Sequence, residues 1–441
     1  MTDEIEKYFI EKGCLVEEKV IREIVRRGGI NYIRKNEKRL DFSKPIFTML
    51  NLPSVNEFSI VKEFNLNGFP GVSSTFVDIF RTRYSFLSSK INERTRNHFF
   101  SPVSKIHREK GEVSVSGEVI SVTTSKKGYL IAEIEDLEKS IKVIFPRNFK
   151  EIIFQDEVIG ITGNLSDDGK AIFAENIYRP EVSKQQVKTE EGVKVMVVSD
   201  IHVGSKNFMN DSFKDMIEYT NSEGISFLIM NGDLVDGIGV YPNQEDDLEI
   251  RDVVKQYKEL SRLLMGLNSN VRVVLIPGNH DIVYPTEPQN PLPKEISSLF
   301  PSNVTSLSNP VWVEIGQRTF LLYHGTSIMD FIESMPGTTL NDSGKVMKEM
   351  LRRGHLAPIY GRNLSFIPLK EDYYIIDPVP DVLITGHIHD HSISNYNGIL
   401  TINASTFQEQ TSYQKMMNFN PKPAIGTVVD TSDLSVYTVK F

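Results

Sequence analysis

Over the second half of the chain, short apolar runs alternate with longer segments of helical periodicity, and each apolar run stops abruptly on polar residues. The run from Val193 ends in Asp200-Ile-His202, and the run from Phe227 ends in Gly232-Asp233. The run from Val271 ends in Gly278-Asn279-His280-Asp281. Phe320-Leu-Leu-Tyr leads into His324-Gly325, and Val382-Leu-Ile-Thr leads into Gly386-His387-Ile-His389. Runs this short and this uniformly apolar fit buried parallel strands, and open α/β sheets bind ligands at the carboxyl ends of such strands. Residues two apart on an extended chain point the same way, so Asp200 and His202 are expected to grip one cation together. Glycine lies in or beside each motif, where the backbone must turn sharply or come close to a site. Residues 213–219 and 248–267 between the runs read as helices, giving an α/β class, and Asn395-Tyr-Asn-Gly398 reads as a hairpin turn.

The first half is patterned differently. Residues 2–40 carry apolar positions at helical spacing, with Gly28-Gly29 as a stop, and read as a helical module. From 41 to 101 the pattern is broken by Pro45, Pro53, Gly68, Pro70 and Gly71, which reads as linker or irregular packing with a helix over 73–87. Arg81, Arg83, Arg94 and Arg96 in this stretch could meet phosphate, but a solvated face explains them more simply. Over 102–180, five short β-branched segments (114–122, 129–135, 141–145, 157–164 and 171–178) are separated by turn signals. That spacing suits a small closed all-β barrel of the OB type, holding either nucleic acid or protein. A polar connection then leads to the α/β part, from about 190 to 441.

A chain of 441 residues is too long for one ordinary core. The lone cysteine, Cys14, rules out an intrachain disulfide and fits a reducing interior. No run reaches the ~20 apolar residues of a membrane span, and the start has neither a basic nor an apolar signal region. These features point to a cytoplasmic protein. The net charge of −9 argues against coating nucleic acid by bulk charge. A nuclease stays open, because bound cations can supply the positive field.

Besides His280 and Asp281, the five run ends supply two carboxylates, an amide and four imidazoles. Such a mixed set suits two divalent ions sharing a carboxylate, with Mn²⁺ expected and Fe or Zn²⁺ as alternatives, ahead of Ca²⁺. Ions roughly 3.5–4 Å apart can clamp an in-line attack on phosphorus without a protein nucleophile.

In order and spacing, these motifs resemble the full signature of the calcineurin-like metallophosphoesterases. The resemblance implies a mixed-sheet sandwich flanked by helices. It places one ion on Asp200, His202, Asp233 and His389, and the other on Asp233, Asn279, His324 and His387. His280 becomes the catalytic imidazole, held by Asp281.

A narrower resemblance rests on Gly354-His-Leu-Ala-Pro-Ile-Tyr-Gly361, Lys370-Glu-Asp-Tyr373 and Gln408-Glu-Gln-Thr-Ser-Tyr-Gln-Lys-Met-Met417, behind a barrel. Together they resemble the small subunits of the archaeal family-D DNA polymerases. That implies a 3′→5′ proofreading exonuclease acting on single-stranded DNA or a primer 3′ end. It also implies a large catalytic polymerase subunit as partner, a sliding clamp as a further one, and a nucleoid-associated location. The alternatives are a free-standing phosphoesterase acting on nucleotides or phosphoproteins, and a catalytically silent scaffold. His355 is a candidate for the substrate groove, with a structural role as the alternative. His391 reads as a surface or supporting residue, and Asp236, Asp246 and Asp247 as solvated carboxylates. His98 and His107 read as ordinary, and Trp312 as core.

Overall fold

The computed structural model describes all residues except 1, 27, 28, 38, 39, 41, 43, 44, 49–57, 65–73, 96–98, 107–110, 187, 190, 368 and 417. Gly28, Pro53, Gly68, Pro70, Gly71, Arg96, His98, His107 and Met417 therefore fall outside the described residues.

The apolar runs form two six-stranded sheets packed face to face. The first runs Val304–Ser306, Arg272–Ile276, Ile225–Asn231, Lys194–Val198, Ile425–Asp430, Val436–Lys440, the first four parallel and Ile425–Asp430 antiparallel to both its neighbours. The second runs Ser392–Tyr396, Ile399–Asn403, Val382–Thr385, Arg318–Leu322, Val311–Ile315, Phe58–Glu63. In it, Val382–Thr385 pairs in parallel with both neighbours.

Side-chain alternation explains why the runs are continuously apolar. Val195 and Val197 point into the space between the sheets, against Phe320, Leu322, Val382 and Ile384. Met196 and Val198 point the other way, beneath Phe213 and Met216 of helix Asn210–Ser222 and Tyr257 and Leu260 of helix Val253–Leu264. The outer face of the second sheet is covered likewise by helices Ile328–Ser334 and Ser343–Arg353, through Phe331, Val346, Met347 and Met350. Strands buried on both faces have no polar side to show. The hairpin expected at 395–398 joins Ser392–Tyr396 to Ile399–Asn403, with Asn397 and Gly398 both at positive φ (49° and 81°). That is the conformation its Asn-Gly pair favours.

The β segments of 102–180 form strands Glu112–Thr124, Leu130–Glu135, Ser140–Ile144, Val158–Leu165 and Ala171–Tyr178. They close into a five-stranded barrel because the first strand pairs with both the second and the fourth, with a register shift between Val119 and Ser121. A bulge of this kind lets one strand bend around a barrel corner. Val115, Val119, Ala132, Ile134, Val143, Ile159, Ile161 and Ile172 fill the interior. Ahead of this, helices Thr2–Glu11, Glu18–Arg26 and Ile30–Asn36 surround a small core that includes Ile5, Phe9, Val20, Ile24 and Ile33.

The stretch read as linker needs correction. Phe58–Glu63 is the edge strand of the second sheet, paired antiparallel with Val311–Ile315, and Ser74–Arg94 is a helix of 21 residues. Ile79 of that helix packs into the second sheet's outer core, while Tyr84, Leu87 and Ile91 pack with Phe100 and Val158 of the barrel side. The chain thus enters the sandwich before it builds the barrel, and then returns.

Two buried charge networks tie barrel to sandwich. Arg83 Nε donates to Asp372 Oδ2 (2.8 Å) and its Nη1 to the Pro358 carbonyl (2.7 Å), with Glu118 at 3.8 Å. Glu157 of the barrel pairs with Arg353 (2.7 Å) and Arg179 (3.2 Å). Arg83 is therefore neither a phosphate contact nor a solvated residue. Among the described residues, no helix is long and apolar enough to cross a membrane.

Candidate metal centre

The motif residues follow the carboxyl ends of five strands that run parallel within their sheets: Lys194–Val198, Ile225–Asn231, Arg272–Ile276, Arg318–Leu322 and Val382–Thr385. Because the two sheets face each other, these ends meet at one rim. Donor atoms of Asp200, His202 and His389 lie within 4.8 Å of one another, and so do those of Asp233, His324 and His387. Asp233 stands between the groups, with Oδ2 3.4 Å from His324 Nε2 and 3.8 Å from His202 Nε2. Asn279 Oδ1 is 3.2 Å from His324 Nε2. All seven residues expected as ligands are brought together.

The backbone achieves this differently from the extended-chain expectation. Asp200, His202, Asp233, His387 and His389 all have positive φ, between 48° and 71°. Asp200 and His202 converge through two left-handed residues past the strand end, not through strand alternation. Each such residue costs roughly 1–3 kcal/mol, and strain of this kind persists only where the surroundings impose it. Glycine is needed beside them. A Cβ on Gly278 would lie 2.2 Å from Asp233 Oδ1, and one on Gly232 would lie 2.3 Å from His324 Nδ1.

Each ring is aimed by its other nitrogen. His202 Nδ1 donates to Asp236 Oδ1 (3.0 Å) and His324 Nδ1 to the Asn231 carbonyl (3.0 Å), which turns both Nε2 atoms toward Asp233. The electrostatics are those of a site short of positive charge. Burial works against the Asp233 carboxylate, yet His324, His280 and His202 hold it well below its usual range. Burial also opposes charge on His324, but Asp233 pushes it up to about 10. Burial, helped by His324, pushes His387 down to about 4. Asp200 Oδ1 and His387 Nδ1 are buried with no hydrogen bond. Buried polar atoms are seldom left this way, and a cation is the partner their placement fits. Buried carboxylates and imidazoles crowded around two orphaned donors match divalent transition-metal ions.

His280 backs onto this cluster but is held otherwise than expected. Its Nδ1 donates to the carbonyl of Asp236 (2.7 Å), and its backbone N–H donates to Asp233 Oδ1 (2.9 Å). Asp281 does not touch the ring. Its carboxylate accepts from Gly278 N (2.8 Å), Leu234 N (3.1 Å) and the Tyr257 hydroxyl (2.7 Å), so its oxygens are spent clamping two motif loops together. His355 is corrected too. It is fully buried, bonded through Nε2 to Asp372 (2.9 Å) in the Arg83 network, and lines no part of the site cavity.

Asp236 is not the solvated carboxylate expected from the sequence. It is buried, and besides holding His202 and His280 it accepts from Gln244 and Gln408 (3.0 Å each). Gln414 Nε2 lies 2.9 Å from His389 Nδ1. Gln408 and Gln414 thus pack behind the cluster, and the signal for Asp236 was its place three residues after Asp233. His391 faces Thr427 Oγ1 (2.9 Å), and Trp312 is core, its indole N–H bonded to the Pro378 carbonyl.

The cluster opens onto a cavity of about 360 Å³ lined on one side by His202, Asp233, Asn279, His280, His387 and His389. A larger groove of about 600 Å³, between helix Ser74–Arg94 and the barrel, is lined by carboxylates such as Glu118, Glu135 and Asp136 without any imidazole.

Residues 195–394 match the B-subunit family of DNA polymerases alpha and epsilon. The chain is 38% identical over 454 residues to the DNA polymerase II small subunit of Thermoplasma acidophilum, covering 99% of this chain and 92% of that one. It is 35% identical to the DNA polymerase II small subunit of Methanocaldococcus jannaschii, over 82% of this chain and 64% of the relative. Among solved structures, one described as a novel archaeal phosphodiesterase overlays 56% of the chain at 14% identity with a TM-score of 0.31, a loose likeness. The full-length match to the Thermoplasma protein decides the assignment: the chain belongs to the family of archaeal DNA polymerase II small subunits.

Proposed function

We propose that this subunit carries a two-metal phosphodiesterase that removes nucleotides from a DNA 3′ end, bound to the large catalytic subunit of a DNA polymerase. The observation that carries the reading is the seven-residue donor set split into two groups around Asp233. A polymerase accessory chain with no chemistry has no reason to keep five strained residues and two orphaned buried donors at one rim. Asp200, His202, Asp233 and His389 would hold one divalent ion, and Asp233, Asn279, His324 and His387 the other, with Mn²⁺ as the expected metal. When bound, the pair supplies an activated water and neutralises charge on the phosphoryl oxygens.

The chain's own residues do the rest. The Asp236 carbonyl fixes the proton on His280 Nδ1, so a second proton on Nε2 is the one to pass to the departing 3′-oxygen. Asp281 holds Gly278 and Leu234 in register, which keeps Asn279 and Asp233 in place. The barrel, read as an OB-type fold, carries Lys126, Lys127, Tyr129 and an exposed Phe173 around one hollow, with Arg147 over the Tyr129 ring at 4.9 Å. Basic and aromatic groups in one patch suit a single strand. A sliding clamp is a further partner of the assembled polymerase.

The test is 5′-labelled single-stranded DNA with the purified chain and Mn²⁺, beside bis-nitrophenyl phosphate. A descending ladder from the 3′ end is expected. Hydrolysis of the nitrophenyl ester with DNA left whole would instead favour a free-standing phosphoesterase.

A further inference from the structure

We infer that Tyr413, backed by Tyr241, is the platform on which the terminal nucleobase of the scissile strand stacks. The inference rests on the nuclease reading above and names what that site selects. The donor cluster occupies only part of its cavity; beside the polar Gln408, Thr411 and Gln414, the rest of the wall carries apolar and aromatic side chains, including Met329, Leu340, Ile388 and Phe419. A phosphate alone needs none of that surface. A flat, weakly polar group does.

The aromatic part of the wall is built in sequence. Tyr241 lies with its ring 6.3 Å from the His280 ring, and its hydroxyl donates to Asp247 (3.3 Å). Tyr413 sits on helix Ser412–Met416 with its ring 6.0 Å from that of Tyr241 and only 28° from parallel. Tyr413 is 50% exposed. The order from the proposed proton donor outward is therefore imidazole, ring, open ring. That spacing seats a phosphodiester at the cluster with its attached base against Tyr413. Met329 and Leu340 reach the same cavity from the helical layer of the second sheet, giving the base an apolar facing wall. Stacking on a π-face is tolerant of base identity, as removal of any terminal nucleotide requires.

Two readouts on the full chain test this. In EDTA, an oligodeoxynucleotide with 2-aminopurine at its 3′ end is expected to lose fluorescence on binding the wild type and Tyr413→Phe, and to keep it with Tyr413→Ala. With Mn²⁺, Tyr413→Ala is expected to raise KM for a base-bearing 3′ end about 5- to 150-fold, the equivalent of roughly 1–3 kcal/mol. KM for an abasic 3′ end is expected to stay, and Tyr413→Phe to behave as wild type on both. An unquenched wild type overturns the platform, and so does an equal loss on base-bearing and abasic ends. Quenching without cleavage of either strand by the wild type would sink the nuclease reading alone and support the base platform.

Discussion

Asp281 separates a structural clamp from a catalytic partner. Its Oδ2 accepts from two backbone N–H groups, of Gly278 and Leu234, and its Oδ1 from the Tyr257 hydroxyl, all in the interior. Asp281→Ala strands three buried donors. At about 1–3 kcal/mol for each unsatisfied group, with partial relaxation, the loss is about 3–6 kcal/mol. Asp281→Asn keeps one oxygen for the two N–H groups and leaves only the Tyr257 hydroxyl to reorganise, a loss of about 1–2 kcal/mol. Urea unfolding of the wild type and both variants measures this, with Mn²⁺-supported hydrolysis of bis-nitrophenyl phosphate as the companion assay. The structure predicts that activity follows stability: severe loss in Asp281→Ala, modest loss in Asp281→Asn. If Asp281 acted by fixing the His280 tautomer, Asp281→Asn would keep its fold and lose turnover by orders of magnitude. That pattern would refute the clamp.

Three further outcomes follow from the same geometry. His280→Ala is expected to lower turnover on DNA about 10²–10⁴-fold with metal content unchanged; loss of a metal would make His280 a ligand. Arg83→Met leaves Asp372 and a carbonyl buried without their cation, so it should cost about 3–5 kcal/mol in urea unfolding; a loss under about 1 kcal/mol, that of an exposed pair, would contradict the buried tie. Burial pushes the Glu118 carboxyl up to about 8 from 4.5, against the pull of Arg83. A raised folded-state pKa stabilises fully below pH 4.5, and that contribution is lost as pH rises through 8. The stability of Glu118→Gln relative to wild type should therefore climb across that window, and parallel pH curves would count against it.

The ligand set was legible because strands buried on both faces leave a plain signal: apolar runs that end where chemistry begins. Five endings of one type make an accidental pattern rare. What the runs did not reveal was how the ends converge. Left-handed φ at Asp200, His202, Asp233, His387 and His389 leaves no compositional trace in Asp and His, although Gly232 and Gly278 mark the close approaches. The edge strand Phe58–Glu63 went unread because it is half exposed and lies between residues of broken pattern. Arg83 on a polar-looking helix gave no hint of burial, since its partners Asp372 and Glu118 are distant in sequence. The sequence reads Asp281 as the partner of His280 and Asp236 as a solvated carboxylate. Only the fold shows that Asp236 aims the imidazoles and Asp281 aims the loops.

Metal stoichiometry is the most direct test of the shared centre. The wild type, Asp200→Asn and Asp233→Asn would be dialysed to equilibrium against Mn²⁺ and their metal content measured per chain. Asp233 Oδ2 reaches toward a ring of each donor group, 3.4 Å from His324 Nε2 and 3.8 Å from His202 Nε2, whereas Asp200 belongs to one group. The arrangement predicts two ions in the wild type, about one in Asp200→Asn and none held tightly in Asp233→Asn. Two ions retained by Asp233→Asn, or equal content in the two variants, would contradict it.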